Sequence, residues 1–468
     1  MKYGLGDVDS MTVRSISPLD GTLIEELNET TPAELKEALG RARSAQQEWY
    51  RGTSRQERID MLRELGKTCQ GAQEEMVDLI HRECGFPKAA IAASYKGAVN
   101  GIEHYVQEYE GWSEDFPLNP KSWKDTTARV ERVPHGVIGQ IGVWNFPFWQ
   151  TMISAIPGLL TGNAFVFKPS EFSTLSGLRA AQLIAEAGYP QDIYPAVVGG
   201  PELGRAMVVE DFDALVFTGS MATGKDVVRR AGIKPLILEL SGNDAAIVRA
   251  DADLDMAARG IATGTFSREG QICIRIKRVF AHRDIADEFT ERLLDVASRI
   301  GPKDIGPLIR EEARDRVHAV VEDAVANGAR LLLGGKKAEG PGFFYEPTVL
   351  AVPNQDLEVV REETFGPVCP IQTVQDDEEA LRLANQTPYG LGATIWTQDW
   401  QAGEELASRL EVGNVWINDC VRTLPCGELF QGWKQSSIPS AQRRLEMFVK
   451  KRTVITHHTC EPRPSWFA

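Results

Sequence analysis

Residues 214–242, ALVFTGSMATGKDVVRRAGIKPLILELSG, open on an apolar run and turn through Thr218-Gly219-Ser220. They continue with helix-forming residues and close on a second apolar run at 235–240. Short continuous apolar runs joined by a helical segment read as strands buried on both faces of a parallel sheet. The same texture extends in both directions. Upstream lie GVIGQIGVW (136–144) and AFVF (164–167), then a helix near 174–187, a strand near 193–198 and a helix near 201–209. Downstream of Asp251 come a helix near 252–266, a strand at 277–281, helices near 284–299 and 310–326, and apolar runs at 331–333, 393–396 and 414–417. The pattern predicts an α/β fold with two doubly wound units that divide near residue 242.

Before residue 136 the chain changes character. Thr31 opens TPAELKEALGRARSAQQEW with Glu34 three residues on, the spacing of a capping box, and Arg58–Ile80 continues in a helical style. Between Trp112 and Val133 there are two prolines and no helical period, while 448–468 is β-rich and then proline-rich. Neither segment can build a core alone.

The 468 residues are 43% hydrophobic and 25% charged, an ordinary globular composition. Lys and Arg number 51 against 66 Asp and Glu, a net charge of −15, which argues against nucleic acid or an anionic membrane as partner and favours a small ligand. Seven cysteines without paired spacing point to a reducing, cytoplasmic compartment. The first ten residues lack the apolar core of a signal peptide, and the longest apolar stretch, Met152–Leu160, is broken by Pro157 and Gly158.

Familiar nucleotide fingerprints are absent: no GxGxxG follows a strand, and Gly66-Lys67-Thr68 lacks the upstream glycine of a phosphate loop. Phe217–Gly224 is a glycine-bracketed turn into a helix, suited either to a phosphate or simply to a tight turn. Lys168-Pro169-Ser170-Glu171 ends a strand where open α/β sheets bind ligands, and its carboxylate can accept from ribose hydroxyls or stand solvated. Cys273, in Glu269-Gly270-Gln271-Ile272-Cys273, is a nucleophile if a helix end, a cation or a base activates it, and otherwise a small buried hydrophobe. Glu239, at the tip of an apolar strand, is expected to be desolvated with a raised pKa, as a general base requires, or to face solvent just past the strand. Asn145, in WNFPFW (144–149), offers an amide to an oxyanion beside an aromatic wall, or belongs to a core cluster. No residues have metal-ligand spacing, so no metal is expected; His457-His458-Thr459-Cys460 reads as tail sequence.

In order along the chain, WNFPFW (144–149), KPSE (168–171), FTGSMATG (217–224), LELSGNDA (238–245), GQIC (270–273), EETFGPV (362–368) and GNVWIN (413–418) resemble the motif series of the aldehyde dehydrogenase superfamily. The resemblance covers nearly the whole chain. It implies a Rossmann-like cofactor domain (1–112 and 133–241), an α/β catalytic domain (242–447) and a small β oligomerisation element (113–132 and 448–468) in a homodimer or homotetramer. It implies Cys273 as nucleophile, Glu239 as base and Asn145 as oxyanion donor. For the cofactor it implies Trp144, Lys168, Ser170, Glu171, Gly219, Ser220, Glu363 and Phe365. In the implied reaction, an aldehyde is oxidised through a thiohemiacetal and a thioester on Cys273. Glu171 would repel a 2′-phosphate, so NAD is expected over NADP, with NADP possible.

Phe146, Trp149, Ile272, Ile274 and Phe430 are expected to line the substrate pocket, which favours an apolar or aromatic aldehyde. Arg268, Arg275 and Arg422 argue instead for an anionic semialdehyde. Readings of another class are a cysteine esterase without cofactor and a catalytically lapsed scaffold. The sequence departs from the family's pattern at Arg268 and Arg275, and where Gln431, Ser437 and Pro439 replace glycines.

Overall fold

The computed structural model describes residues 12–118, 125–423, 431–438 and 444–459. Helices dominate residues 32–111, and the Thr31 capping box forms: the Thr31 N–H donates to Glu34 Oε2 at 2.7 Å and the Glu34 N–H to Thr31 Oγ1 at 3.2 Å. These helices pack around a four-stranded parallel sheet ordered Ala164–Lys168, Val137–Ile141, Ala214–Thr218, Leu236–Glu239. Its strands are short and almost entirely apolar, as a sheet covered on both faces demands.

A seven-stranded sheet follows, ordered Arg330–Leu333, Thr348–Ala351, Val368–Val374, Ile276–His282, Asp244–Val248, Gly392–Trp396, Asn414–Ile417. All its neighbours are parallel except the first pair. A third sheet is built from the two segments that lack a core: Val449–His457 and Asp115–Pro117 flank Thr126–Pro134, both antiparallel. The fold class is α/β, as expected from the alternation of strands and helices. One expected strand is not formed: in 193–198 only Ala196 bridges to Phe167. Among the described helices none is long and apolar enough to cross a membrane.

The carboxyl ends of the four-stranded sheet all point the same way. Residues 142–145, Lys168, Gly219-Ser220 and Glu239 are therefore delivered to one edge, the position where parallel sheets gather ligands.

Candidate functional site

At that edge an open cleft of about 650 Å³ is lined by Trp144, Lys168, Ser170, Glu171, Gly219 and Ser220, together with Arg205, Arg230 and Arg310. Lys168 is 2% exposed; its ammonium donates to Pro169 O at 2.9 Å and lies 3.5 Å from Glu171 Oε2. Burial pulls the Lys168 pKa below the usual lysine range, and Glu171 opposes that shift. Ser220 is the N-cap of Met221–Arg230: its Oγ accepts the Thr223 N–H at 3.1 Å, so the hydroxyl is committed first to the helix. The Gly219 N–H donates to Glu239 O at 3.0 Å, tying this turn to the next strand. Trp144, which lines the cleft, stacks on Phe86 (6.2 Å, 15°) and meets Phe365 edge-on (5.8 Å, 85°).

Cys273 sits just beyond, on the loop that feeds the strand Ile276–His282. Three successive residues ahead of it, Arg268 (φ 52°), Glu269 (φ 55°) and Gly270 (φ 67°), are left-handed. Two of them carry side chains, at a cost of about 1 kcal/mol or more apiece. The surroundings enforce this turn. Gly270 lies so close to Gly366 that a Cβ would stand 2.3 Å from its carbonyl oxygen. Arg268 donates to Asn145 O (2.9 Å), Ala90 O (2.9 Å) and Ser94 Oγ (2.7 Å), with its guanidinium 4.2 Å from the Phe146 ring centroid. Glu269 is fully buried, accepts the Tyr345 N–H at 3.3 Å, and is raised well above the usual carboxylate range by that burial.

The Asn145 side chain is buried and donates to Gln271 O at 2.9 Å, two residues from the thiol. Cys273 itself is partly exposed, in an apolar cluster of Ile272, Ile274 and Leu391 with Phe146, Trp416 and Val421. Burial pushes its thiol up to about 12; Lys277 acts in the opposite direction, and Glu239, Glu363 and Asp244 add to the rise. Lys277 escaped the sequence reading. It is buried on the strand after Cys273, donates to Ile272 O (3.2 Å) and Cys273 O (2.5 Å), and pairs with Glu363 at 3.2 Å. A lysine inside the apolar run IRIKRVF was the available signal, because a buried charge needs a partner.

Glu239 stands between the two expected settings, mostly buried and held in an ion pair. Its side chain is 17% exposed, and both terminal nitrogens of Arg444, 3.0 and 2.5 Å away, donate to its Oε1.

The arginines expected near a substrate channel also need correction. Arg275 is fully buried and donates to the carbonyls of Ile276, Val368 and Thr364; Arg268 is spent on Asn145 and the helix beneath it. Burial lowers both to about 10. Arg422 is exposed, pairs with Asp419 at 3.2 Å and follows Val421 of the Cys273 cluster. Phe146, Ile272 and Ile274 gather around the thiol, whereas Trp149 packs against Gly97 in the helical core. Phe430 and Pro439 lie outside the described residues. Ser437 has no left-handed backbone, and Lys434 (φ 50°) is left-handed in the same segment. No group of His, Cys, Asp or Glu among the described residues could hold a metal ion.

Residues 7–454 match the aldehyde dehydrogenase family. The chain belongs to that family. It is 35% identical over 415 residues to the NAD(P)+ succinate semialdehyde dehydrogenase Sad of Escherichia coli, covering 86% of this chain and 89% of that one. It is 34% identical over 425 residues to betaine aldehyde dehydrogenase of Bacillus subtilis (87% and 86%). Among solved structures, betaine aldehyde dehydrogenase from Staphylococcus aureus, in complex with NAD+, superposes with a TM-score of 0.93 at 26% identity, covering 100% of this chain and 95% of that one. As an aldehyde dehydrogenase, the protein is an oxidoreductase acting on aldehydes.

Proposed function

We propose that this aldehyde dehydrogenase oxidises a semialdehyde to the corresponding acid with NAD(P), through covalent intermediates on Cys273. The observation that carries the reading is the junction between cleft and thiol: Trp144 lines the cleft, and its neighbour Asn145 is bonded to the Gln271 carbonyl two residues before Cys273. The cleft fits a dinucleotide chemically. It combines a buried ammonium at Lys168, a carboxylate at Glu171, the first turn of a helix at Ser220 and an aromatic ring at Trp144, against which Phe365 packs edge-on. Bound NAD(P) supplies the hydride acceptor.

The residues then have separable tasks. The Cys273 sulfur attacks the aldehyde carbon, and the Asn145 amide with the Cys273 backbone N–H receives the oxyanion. A thiol near 12 leaves roughly one thiolate in 10⁵ at pH 7, so the positive charge of Lys277 beneath the loop serves to favour ionisation. After oxidation, Glu239 takes a proton from the water that attacks the thioester, releasing the acid and the free thiol. Glu363 and Phe365 bound the nicotinamide end, and Lys168, Ser170, Glu171, Gly219 and Ser220 bound the rest.

For the substrate, the apolar side chains around Cys273 suit a short methylene chain, and Arg422, next in the chain to Val421 of that cluster and paired with Asp419, is the cation for a distal carboxylate. Sad and further relatives named as succinate semialdehyde dehydrogenases support this choice over an aromatic aldehyde. Reduced-cofactor formation tests it, with succinic semialdehyde, betaine aldehyde, hexanal and benzaldehyde compared for wild type, Cys273→Ala and Arg422→Gln. Succinic semialdehyde is expected to have the highest kcat/KM, Cys273→Ala to abolish turnover and Arg422→Gln to raise KM about tenfold. Preference for benzaldehyde or hexanal overturns the substrate class. The strand Val449–His457 ends its sheet with no further neighbour among the described strands, which supports a homodimer or homotetramer built across that edge. Light scattering after size exclusion reads the state.

A further inference from the structure

The Arg444–Glu239 pair has a geometry that a merely structural ion pair does not need. Both donors converge on Oε1, leaving Oε2 without a bond to any described residue. Arg444 is 3% exposed and its Nε finds no partner among the described residues, so the guanidinium is not placed to maximise its own hydrogen bonding. Two parallel bonds, one to each oxygen, would be the usual arrangement for a stability-giving Arg–carboxylate pair.

Each partner is delivered by a fixed backbone. On one side the Gly219 N–H holds Glu239 O (3.0 Å), the Leu240 N–H donates to Ser436 O (2.9 Å) and Ser436 Oγ donates to Ser241 O (2.6 Å). On the other, Leu445 and Phe448 are fully buried and the Asn163 amide donates to Phe448 O at 2.9 Å. What remains free in Glu239 is the rotation of its side chain, which the guanidinium removes. Charge gives a second reason. An uncompensated Glu239 carboxylate disfavours the Cys273 thiolate, and a cation on Glu239 reduces that repulsion.

We propose that Arg444 is a positioning residue for deacylation: it grips one oxygen of Glu239 so that the other faces the water that hydrolyses the Cys273 thioester. This rests on the reading of Glu239 as the deacylating base.

The test uses the full chain and 4-nitrophenyl acetate, which needs neither cofactor nor the natural aldehyde. The Cys273 thiolate attacks the ester carbonyl and expels 4-nitrophenolate; water then attacks the acetyl thioester, its proton passing to Glu239, and acetate leaves as the thiol reforms. Quenched samples read by intact mass give the decay of acetyl-Cys273 directly, and nitrophenolate absorbance gives acylation. In the wild-type background Arg444→Gln is expected to slow deacylation about tenfold with acylation changed less than about twofold. In a Glu239→Gln background the same substitution is expected to change deacylation less than about twofold, because its effect passes through the missing carboxylate. Arg444→Lys restores part of the rate and serves as the second variant if Arg444→Gln fails to fold. Hydroxylamine, attacking the thioester without a base, is expected to restore turnover to Arg444→Gln. Equal losses in both backgrounds, or acylation falling together with deacylation, overturn the proposal. Wild-type deacylation in Glu239→Gln alone overturns the base reading instead.

Discussion

The ammonium of Lys277, 1% exposed, stands 3.2 Å from Glu363 Oε1 while donating to the carbonyl of Cys273 at 2.5 Å. One buried cation therefore links the loop that presents the thiol to the carboxylate assigned to the cofactor. Replacing it with methionine keeps the volume and removes the charge, stranding Glu363. The expected result is a loss of about 3 kcal/mol in unfolding free energy, from denaturant melts, and at least a tenfold rise in the Kd for NAD.

The thiol itself carries a pH signature. With Cys273 pushed up to about 12, the thiolate fraction climbs about tenfold per pH unit between pH 6 and 10. Alkylation of the cofactor-free enzyme by iodoacetamide, followed by mass at Cys273, should rise in parallel with no plateau below pH 10. Removing the Lys277 charge takes away the leading influence that lowers this pKa. The Lys277→Met profile is therefore expected to lie below wild type at every pH.

Glu171 faces the cleft close to Lys168, and a 2′-phosphate arriving there would meet its charge. Two like charges at about 4 Å repel by roughly 1 kcal/mol in water and about 4 kcal/mol in a protein-like medium. Glu171→Gln should raise the NADP-to-NAD ratio of kcat/KM about tenfold, measured with one aldehyde at fixed ionic strength.

Gly242 lies where the Glu239 strand passes the Cys273 loop: a Cβ there would stand 2.7 Å from Cys273 O and 2.8 Å from Leu391 Cβ. Asp244 Oδ1 is equally near at 2.7 Å, but the carbonyl and the Cβ are not free ends of flexible side chains. Gly242→Ala is expected to lower kcat by more than about tenfold, read by steady-state kinetics, with the far-ultraviolet circular dichroism unchanged.

Much of the scaffold was legible because its strands are continuous apolar runs set off by glycine and proline. Where proline intrudes, the reading failed. Pro195 has no N–H to give, so its segment makes one bridge rather than a strand. The strand Val368–Val374 contains Pro370 and went unread. In the site, the motif series singled out Cys273 and Asn145, which the fold brings to one loop junction. Arg268 and Arg275 were misplaced because charge ordinarily signals exposure; here carbonyl oxygens satisfy both inside the protein. Nothing local marks Arg444, whose importance arises only when the late strand Val449–His457 docks on Thr126–Pro134.

That docking has a consequence for biosynthesis. Glu239 and Arg444 are separated by 205 residues, a gap of about 10–40 s at a ribosome adding 5–20 residues per second. A nascent chain therefore carries the parallel strands of its first sheet, and then Cys273, the proposed nucleophile, well before the arginine that grips Glu239 has been made. The framework is in hand early, and the proposed catalytic arrangement is among the last things synthesis completes.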